Sequence, residues 1–262
     1  MTKTPKIVFF GTPDFAMPVL DALIRNGYNV SRFQKKSLKD DETFKLFKLL
    51  NPDLCVVAAY GKMLPSRYLE IPKHGFINVH PSLLPKYRGP SPIQTAILNG
   101  DEETGATIMV VDEKMDHGPT LGSIKYQIPN NKSNSEISHE LFELGANLLV
   151  QILPKYLNGE LKPKEQDHSQ ATFTKMFTRE DGRINWNSPA QEIYNRIRAL
   201  NPEPGTWTTW KGKVINISKI TTFDVVSPQV INIQTIQMAG KKEMPFEEFL
   251  RGHPDFDISQ LK

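Results

Sequence analysis

Residues 54–60 (LCVVAAY) are apolar on both alternating faces. A strand with water on one side alternates apolar with polar, so a run without that alternation needs cover on both faces, as in a parallel sheet wrapped by helices. Residues 6–10 (KIVFF) are a second such run, closed by Gly11-Thr12-Pro13-Asp14. Phe15, Val19, Leu20, Leu23 and Ile24 then recur at helical spacing until Gly27 ends the pattern. Strand, tight turn and helix open an α/β unit. The same reasoning predicts helices over 41–50, 92–98 and 136–156, the last behind a Ser133–Glu136 capping box, and strands over 76–80, 107–111 and 123–128. Strands alternating with helices predict a Rossmann-like, doubly wound, mostly parallel α/β sheet.

Beyond residue 157 the texture changes. Residues 158–170 (NGELKPKEQDHSQ) are polar, which reads as an interdomain linker. A helix over 189–200 and strands over 206–210, 214–221 and 230–238 then predict a smaller β-rich domain. The expected division is 1–157 for the large domain, 158–172 for the linker and 173–262 for the small one.

Composition excludes several classes. The 262 residues are 39% hydrophobic and 23% charged, a globular balance. A single cysteine, Cys55, rules out a disulfide framework and a multi-cysteine metal site, and its mid-strand position gives no argument for a nucleophile. No apolar run approaches the ~18 residues of a membrane span. Residues 1–6 carry no signal core, so a cytoplasmic protein is expected. The net charge of +3 does not by itself announce nucleic acid.

The densest polar constellation is Asn78-Val-His80-Pro-Ser82-Leu-Leu-Pro85-Lys-Tyr-Arg88-Gly89-Pro90. Asn78 and His80 are two apart, so on a strand they share a face. Pro81 keeps His80 extended and helps end the strand there. Polar residues at the carboxyl end of a parallel strand sit where open α/β sheets hold ligands. A lone strand-end histidine is more often bonded to backbone; Asn78 beside it and the long Pro- and Gly-rich loop shift the balance towards function. In the run Asp112-Glu-Lys-Met-Asp116-His-Gly118, Asp112 and Glu113 read as solvated turn formers, and Asp116 as a group able to orient an imidazole or accept a proton. His74, His139, His168 and His253 lack metal-ligand spacing and read as surface or packing residues, so no metal is expected. Gly11 stands without the other glycines of a dinucleotide fingerprint.

Gly11-Thr-Pro-Asp-Phe-Ala16, Asn78-Val-His80, Ser82-Leu-Leu-Pro85-x-Tyr-Arg-Gly89, Asp116-x-Gly118 and Asn201-Pro-x-Pro-Gly205-Thr-Trp207 together resemble the methionyl-tRNA formyltransferase family, within the folate-dependent formyltransferases. The resemblance runs from Lys6 to about Gly252. It implies a C-terminal OB-like β-barrel that binds tRNA, 10-formyltetrahydrofolate as formyl donor, and the α-amine of methionyl initiator tRNA as acceptor. It implies Asn78, His80 and Asp116 as the catalytic set and Ser82, Leu83, Leu84 and Pro85 as the folate-binding stretch. For tRNA, the candidates are Arg32, Lys35, Lys36 and Lys39 in one cluster and Lys211, Lys213, Lys241 and Lys242 in another; Trp207 and Trp210 read as barrel packing. A monomer is expected. The Asn/His/Asp set is shared across the folate-dependent enzymes. A formyltransferase acting on a small amine, such as an amino-sugar nucleotide or glycinamide ribonucleotide, and an inactive folate- or tRNA-binding relative therefore stay open.

The chain departs from the family pattern in two places. Val30-Ser31 runs directly into Arg32-Phe-Gln-Lys-Lys-Ser-Leu-Lys-Asp40, where the family carries a longer basic segment, and the stretch between Ile220 and Val230 is short. The preferred reading of the first is that Ser31 and Arg32 are not adjacent in the complete protein.

Overall fold

The computed structural model describes residues 4–35, 37–221, 232–258 and 261. The chain forms two compact units. The first comprises Met1–Pro92, Glu103–Gln127 and Ser138–Thr174; the second comprises Ile93–Glu102, Ile128–Ile137 and Lys175–Lys262.

In chain order the first elements are β1 (Lys6–Phe10), α1 (Met17–Arg25), β2 (Asn29–Arg32), α2 (Asp41–Leu50), β3 (Leu54–Ala58), α3 (Ser66–Leu69), β4 (Phe76–His80), α4 (Pro92–Leu98), β5 (Glu103–Val110), β6 (Thr120–Gln127) and α5 (Asn134–Leu157). Six strands make one sheet in the order β2-β1-β3-β4-β5-β6. The first four are parallel, as the unbroken apolar runs require. Ile7, Phe9, Val56, Ile77 and Val79 are buried together with residues of α1 and α5. Val8, Phe10, Cys55 and Phe76 are buried together with Phe47 of α2 and Tyr68 of α3. Each fully buried side chain of this kind contributes ~1.5–3 kcal/mol. Burial also pushes the Cys55 thiol well above its ordinary range, so it is a core residue and not a reactive one.

β5 and β6 depart from continuous parallel winding, since both pairings are antiparallel. In β6, Ser123, Lys125 and Gln127 are exposed, the alternation of a strand open to water on one side. Helix ends follow their local chemistry. Asp40 caps α2 by accepting from the Thr43 N–H at 2.8 Å, and Asn51 closes it with φ 46°. The Ser133–Glu136 capping box at α5 is present.

Ser31 and Arg32 both lie in β2 and pair in consecutive register with Val8 and Phe9. The next residue, Phe33, donates its N–H to the Phe9 carbonyl at 2.9 Å and packs its ring 5.4 Å from those of Phe10 and Phe47. Lys36 and residues 222–231, with most of the short stretch after Ile220, lie outside the described residues.

The polar segment after α5 is not a free linker. Lys164 and Thr120 exchange backbone hydrogen bonds at 2.8 Å in both directions, Gln166 is buried, and residues 158–174 group with the first unit. The second unit contains α6 (Ala190–Leu200), β7 (Trp207–Trp210), β8 (Lys213–Thr221), β9 (Asn232–Met238), β10 (Met244–Pro245) and α7 (Phe246–Gly252). Its four strands form an antiparallel sheet in the order β10-β9-β8-β7. Ile193 and Ile197 of α6, Trp210, Ile215, Ile217, Ile236 and Phe249 form its core. Residues 128–137 join it through Arg198, which donates to the carbonyls of Pro129 at 2.9 Å and Lys132 at 3.3 Å.

Candidate active site

β4 ends at His80, and its pleat puts Asn78 and His80 on one face. His80 is buried and Asn78 half-buried. The chain then loops back, and the carbonyl of Tyr87 comes to 3.0 Å from His80 Nε2. A carbonyl can only accept, so Nε2 carries a proton and donates it there. In the neutral ring the lone pair is then on Nδ1, which faces Asp116 Oδ1 at 3.6 Å. That distance is too long for a hydrogen bond, and the two groups become an ion pair only once Nδ1 has taken up a proton.

Asp116 adopts φ 48° in the loop between β5 and β6. Its Oδ1 lies 3.5 Å from Asn78 Nδ2, and its Oδ2 accepts the Gly89 N–H at 2.8 Å. The structure thus brings Asn78, His80 and Asp116 together from one strand and a loop. One Asn78 N–H points at Asp116 and the second is left to donate elsewhere.

Ser82 is fully buried and its polar groups are used inside the protein. Its hydroxyl donates to the Lys86 carbonyl at 2.6 Å, its N–H to the His80 carbonyl at 2.9 Å, and its carbonyl accepts from the Thr107 hydroxyl at 2.7 Å. Thr107 Oγ1 in turn accepts the Leu84 N–H at 3.2 Å. Leu83, Leu84 and Pro85 are half-buried, with Leu83 so close over Gly105 that a Cβ there would lie 2.5 Å from its side chain. The stretch is a pinned backbone carrying apolar side chains, which fits the face of a flat heterocycle. Ser82 is the part of it that builds the loop.

Several neighbours escape a sequence reading. Arg88, only 3% exposed, donates through Nε and an Nη to Gln166 Oε1 at 3.2 and 2.7 Å, and to His168 Nδ1 at 2.8 Å. Gln166 Nε2 donates to the carbonyls of Asp116 at 3.0 Å and Gly118 at 2.7 Å. His168 stacks on His117 at 4.1 Å, and His117 Nδ1 lies 2.6 Å from Asp112 Oδ2. His168 is thus both exposed and packed against a neighbouring ring, and Asp112 is a partner for His117 as well as a turn former. Thr172 and Thr174 complete the clamp. The Tyr87 N–H donates to Thr172 Oγ1 and the Arg88 N–H to the Thr172 carbonyl, both at 2.8 Å. The Thr174 N–H donates to the Arg88 carbonyl at 2.7 Å. These contacts join residues some eighty positions apart, which no spacing rule reports; only an arginine set inside a Pro- and Gly-rich loop hinted at a buried role.

The basic candidates are dispersed. Arg32, Lys35 and Lys39 are exposed on the first unit, and the Lys35 carbonyl accepts from Lys62 Nζ at 2.6 Å. On the second unit Lys213, Lys241 and Lys242 are exposed, while Lys211 pairs with Asp255 and lies over the Trp210 ring. Trp210 is buried in the core, as expected. Trp207 is half-exposed and flanked by the guanidinium groups of Arg179 at 5.7 Å and Arg183 at 5.5 Å. Among the described residues no group of three His, Cys, Asp or Glu could hold a metal ion, and no helix is long and apolar enough to cross a membrane.

Comparison with known proteins gives these arrangements a context. Family models described as "Formyl transferase" and "Formyl transferase, C-terminal domain" match residues 16–153 and 176–229. A methionyl-tRNA formyltransferase of Chloroflexus aggregans is 41% identical over 243 residues, covering 81% of this chain and 79% of its own. The solved methionyl-tRNA formyltransferase from Clostridium thermocellum shares the fold with a TM-score of 0.70 at 19% identity, covering 89% of this chain and 98% of that one. HypX from Aquifex aeolicus in complex with tetrahydrofolic acid aligns with a TM-score of 0.79 at 16% identity. That alignment covers 95% of this chain but only 47% of the longer HypX chain.

Proposed function

This chain belongs to the formyl transferase family, and from that premise we propose that it transfers a formyl group from 10-formyltetrahydrofolate to the α-amine of methionyl initiator tRNA. The observation that carries the reading is the convergence of Asn78, His80 and Asp116 at the carboxyl end of β4. The relatives' shared name supplies the acceptor, and the pinned apolar stretch Leu83-Leu84-Pro85 supplies a surface for the pterin.

The residues divide the work by their chemistry. The attacking amine must lose a proton as its nitrogen bonds the formyl carbon, and His80 Nδ1 is the lone pair available to take it. Asp116 faces that nitrogen and stabilises the imidazolium that forms. As the carbonyl carbon becomes tetrahedral, charge grows on its oxygen; the free Asn78 N–H is the donor suited to that oxygen. The bond to the donor's nitrogen then breaks, and the proton held by His80 returns to the leaving nitrogen. No covalent enzyme intermediate and no metal enters this scheme. The enzyme works as a monomer in the cytoplasm, where initiator tRNA is charged. Arg32, Lys35, Lys36, Lys211, Lys213, Lys241 and Lys242 contact tRNA phosphates, joined by Trp207 between Arg179 and Arg183 as an aromatic platform for a base.

A discharge assay tests this. With 10-formyltetrahydrofolate as donor, the protein should formylate charged initiator tRNA and leave free methionine, glycinamide ribonucleotide and amino-sugar nucleotides unchanged. Neutralising Lys213, Lys241 and Lys242 together should flatten the salt dependence of tRNA binding. Preferred turnover of a small amine would refute the assignment of acceptor.

A further inference from the structure

Asp116 is held twice. Its carboxylate is held by the Gly89 N–H, and its main chain by Gln166, which reaches it from 50 residues further along the chain. Gln166 is 7% exposed, and Arg88 decides how its amide lies. A guanidinium only donates, so Gln166 Oε1 must face Arg88, and Nε2 is left to face the two loop carbonyls of Asp116 and Gly118. One side chain thereby grips both sides of His117. The stack of His168 on His117, with Arg88 donating to His168 Nδ1, adds a second tie between the same segments. Asp116 sits at φ 48°, a conformation that a non-glycine residue keeps only where its surroundings over-determine it.

We propose that Gln166 is a positioning residue for the reaction: by holding the carbonyls of Asp116 and Gly118 it sets the Asp116 carboxylate against His80 and Asn78. The inference rests on the formyl-transfer reading for its kinetic consequence and on geometry alone for its spectroscopic one.

Two variants of the full-length protein separate the roles. Gln166→Met removes both sets of bonds. Gln166→Glu keeps the acceptor for Arg88 and loses the donor to the loop. Both should lower kcat about 10- to 100-fold, the range expected when a supporting hydrogen bond to a reacting group's loop is lost, with the donor KM changed by less than about threefold. Histidine-ring NMR gives the second readout. In both variants the His80 ring signals at fixed pH should move from their wild-type positions, and they should do so whether or not any acceptor turns over. Absence of transfer by the wild-type protein would sink the formyl-transfer reading; unmoved His80 ring signals in both variants would sink this one. A silent Gln166→Glu beside an impaired Gln166→Met would reduce Gln166 to a partner for Arg88 and overturn the proposal. Loss of the folded state in both variants would overturn it too, in favour of a core role.

Discussion

Replacing Asp116 by Asn tests the proposed proton transfer at its centre. Asp116 Oδ1 lies 3.6 Å from His80 Nδ1, with side chains 15% and 4% exposed. Two unit charges at that separation attract by about 4–5 kcal/mol at an effective dielectric of ~20. This stabilisation is absent while His80 is neutral and present once it has taken the amine's proton, so its loss falls on the barrier. At about 1.4 kcal/mol per decade it amounts to roughly a thousandfold in kcat. A second effect acts in the same direction. Asn keeps its single side-chain oxygen for the Gly89 N–H, in the place that Oδ2 holds in the aspartate, and so turns its amide N–H group towards His80 Nδ1. A donor then faces the lone pair that must accept the proton. Single-turnover formyl transfer at saturating donor, with donor binding measured separately, should show Asp116→Asn losing about three decades in rate while donor affinity stays near wild type. Asp116→Ala, which removes the charge without masking Nδ1, should be no worse than Asn. An Asp116→Asn variant within tenfold of the wild-type rate, or a loss confined to KM, would refute the role of His80 as base.

Gly89→Ala should damage fold and site together. At φ 115° a Cβ would lie 2.8 Å from Thr174 Oγ1 and 2.9 Å from its carbonyl oxygen, so backbone strain of ~1–3 kcal/mol adds to displacement of the 172–174 segment. Urea denaturation should show a loss of about 2–4 kcal/mol, with formyl transfer reduced more than tenfold; a change under ~0.5 kcal/mol would contradict this account. In the second unit, bonding to Lys175 and to the Thr178 N–H and hydroxyl lowers Asp181 to about 2. A carboxylate depressed in the folded state stabilises it above the ordinary value near 3.8, and that stabilisation fades as pH falls towards 2. Asp181→Asn should therefore melt below wild type at pH 6 and match it near pH 2, in thermal melts across that window.

The parallel half of the large sheet was legible because LCVVAAY and KIVFF carry no polar alternation, and the structure buries both faces of β1 and β3. Asn78 and His80 were legible because a period of two places them on one face. Asp116 was legible as a carboxylate in a loop after a strand, and its meeting with His80 came from the resemblance, not from spacing. The antiparallel turn of β5 was hidden because residues 108–111 (IMVV) carry no polar alternation, as in a parallel strand. Residues 158–172 were the least legible. Their polarity reads as linker, yet Gln166 spends its polarity on buried carbonyls and a buried guanidinium, and Thr172 spends its own on the backbone of Tyr87 and Arg88. A hydrophobicity pattern sees only that such residues are polar, not that their partners are inside.

The clamp also sets an order of assembly. All six strands of the large sheet, and α5, are complete at Leu157. The residues that hold Asp116 and the 87–89 loop follow, from Gln166 to Thr174, bridging 50 residues back to Asp116 and 86 back to Arg88. Closing loops of that length costs only slightly more than closing shorter ones, so the delay comes from waiting for the residues and not from the closure itself. At ~5–20 residues per second, the last 17 residues emerge about one to three seconds after the sheet is complete. A growing chain can thus be folded through its sheet while its chemistry is still unassembled.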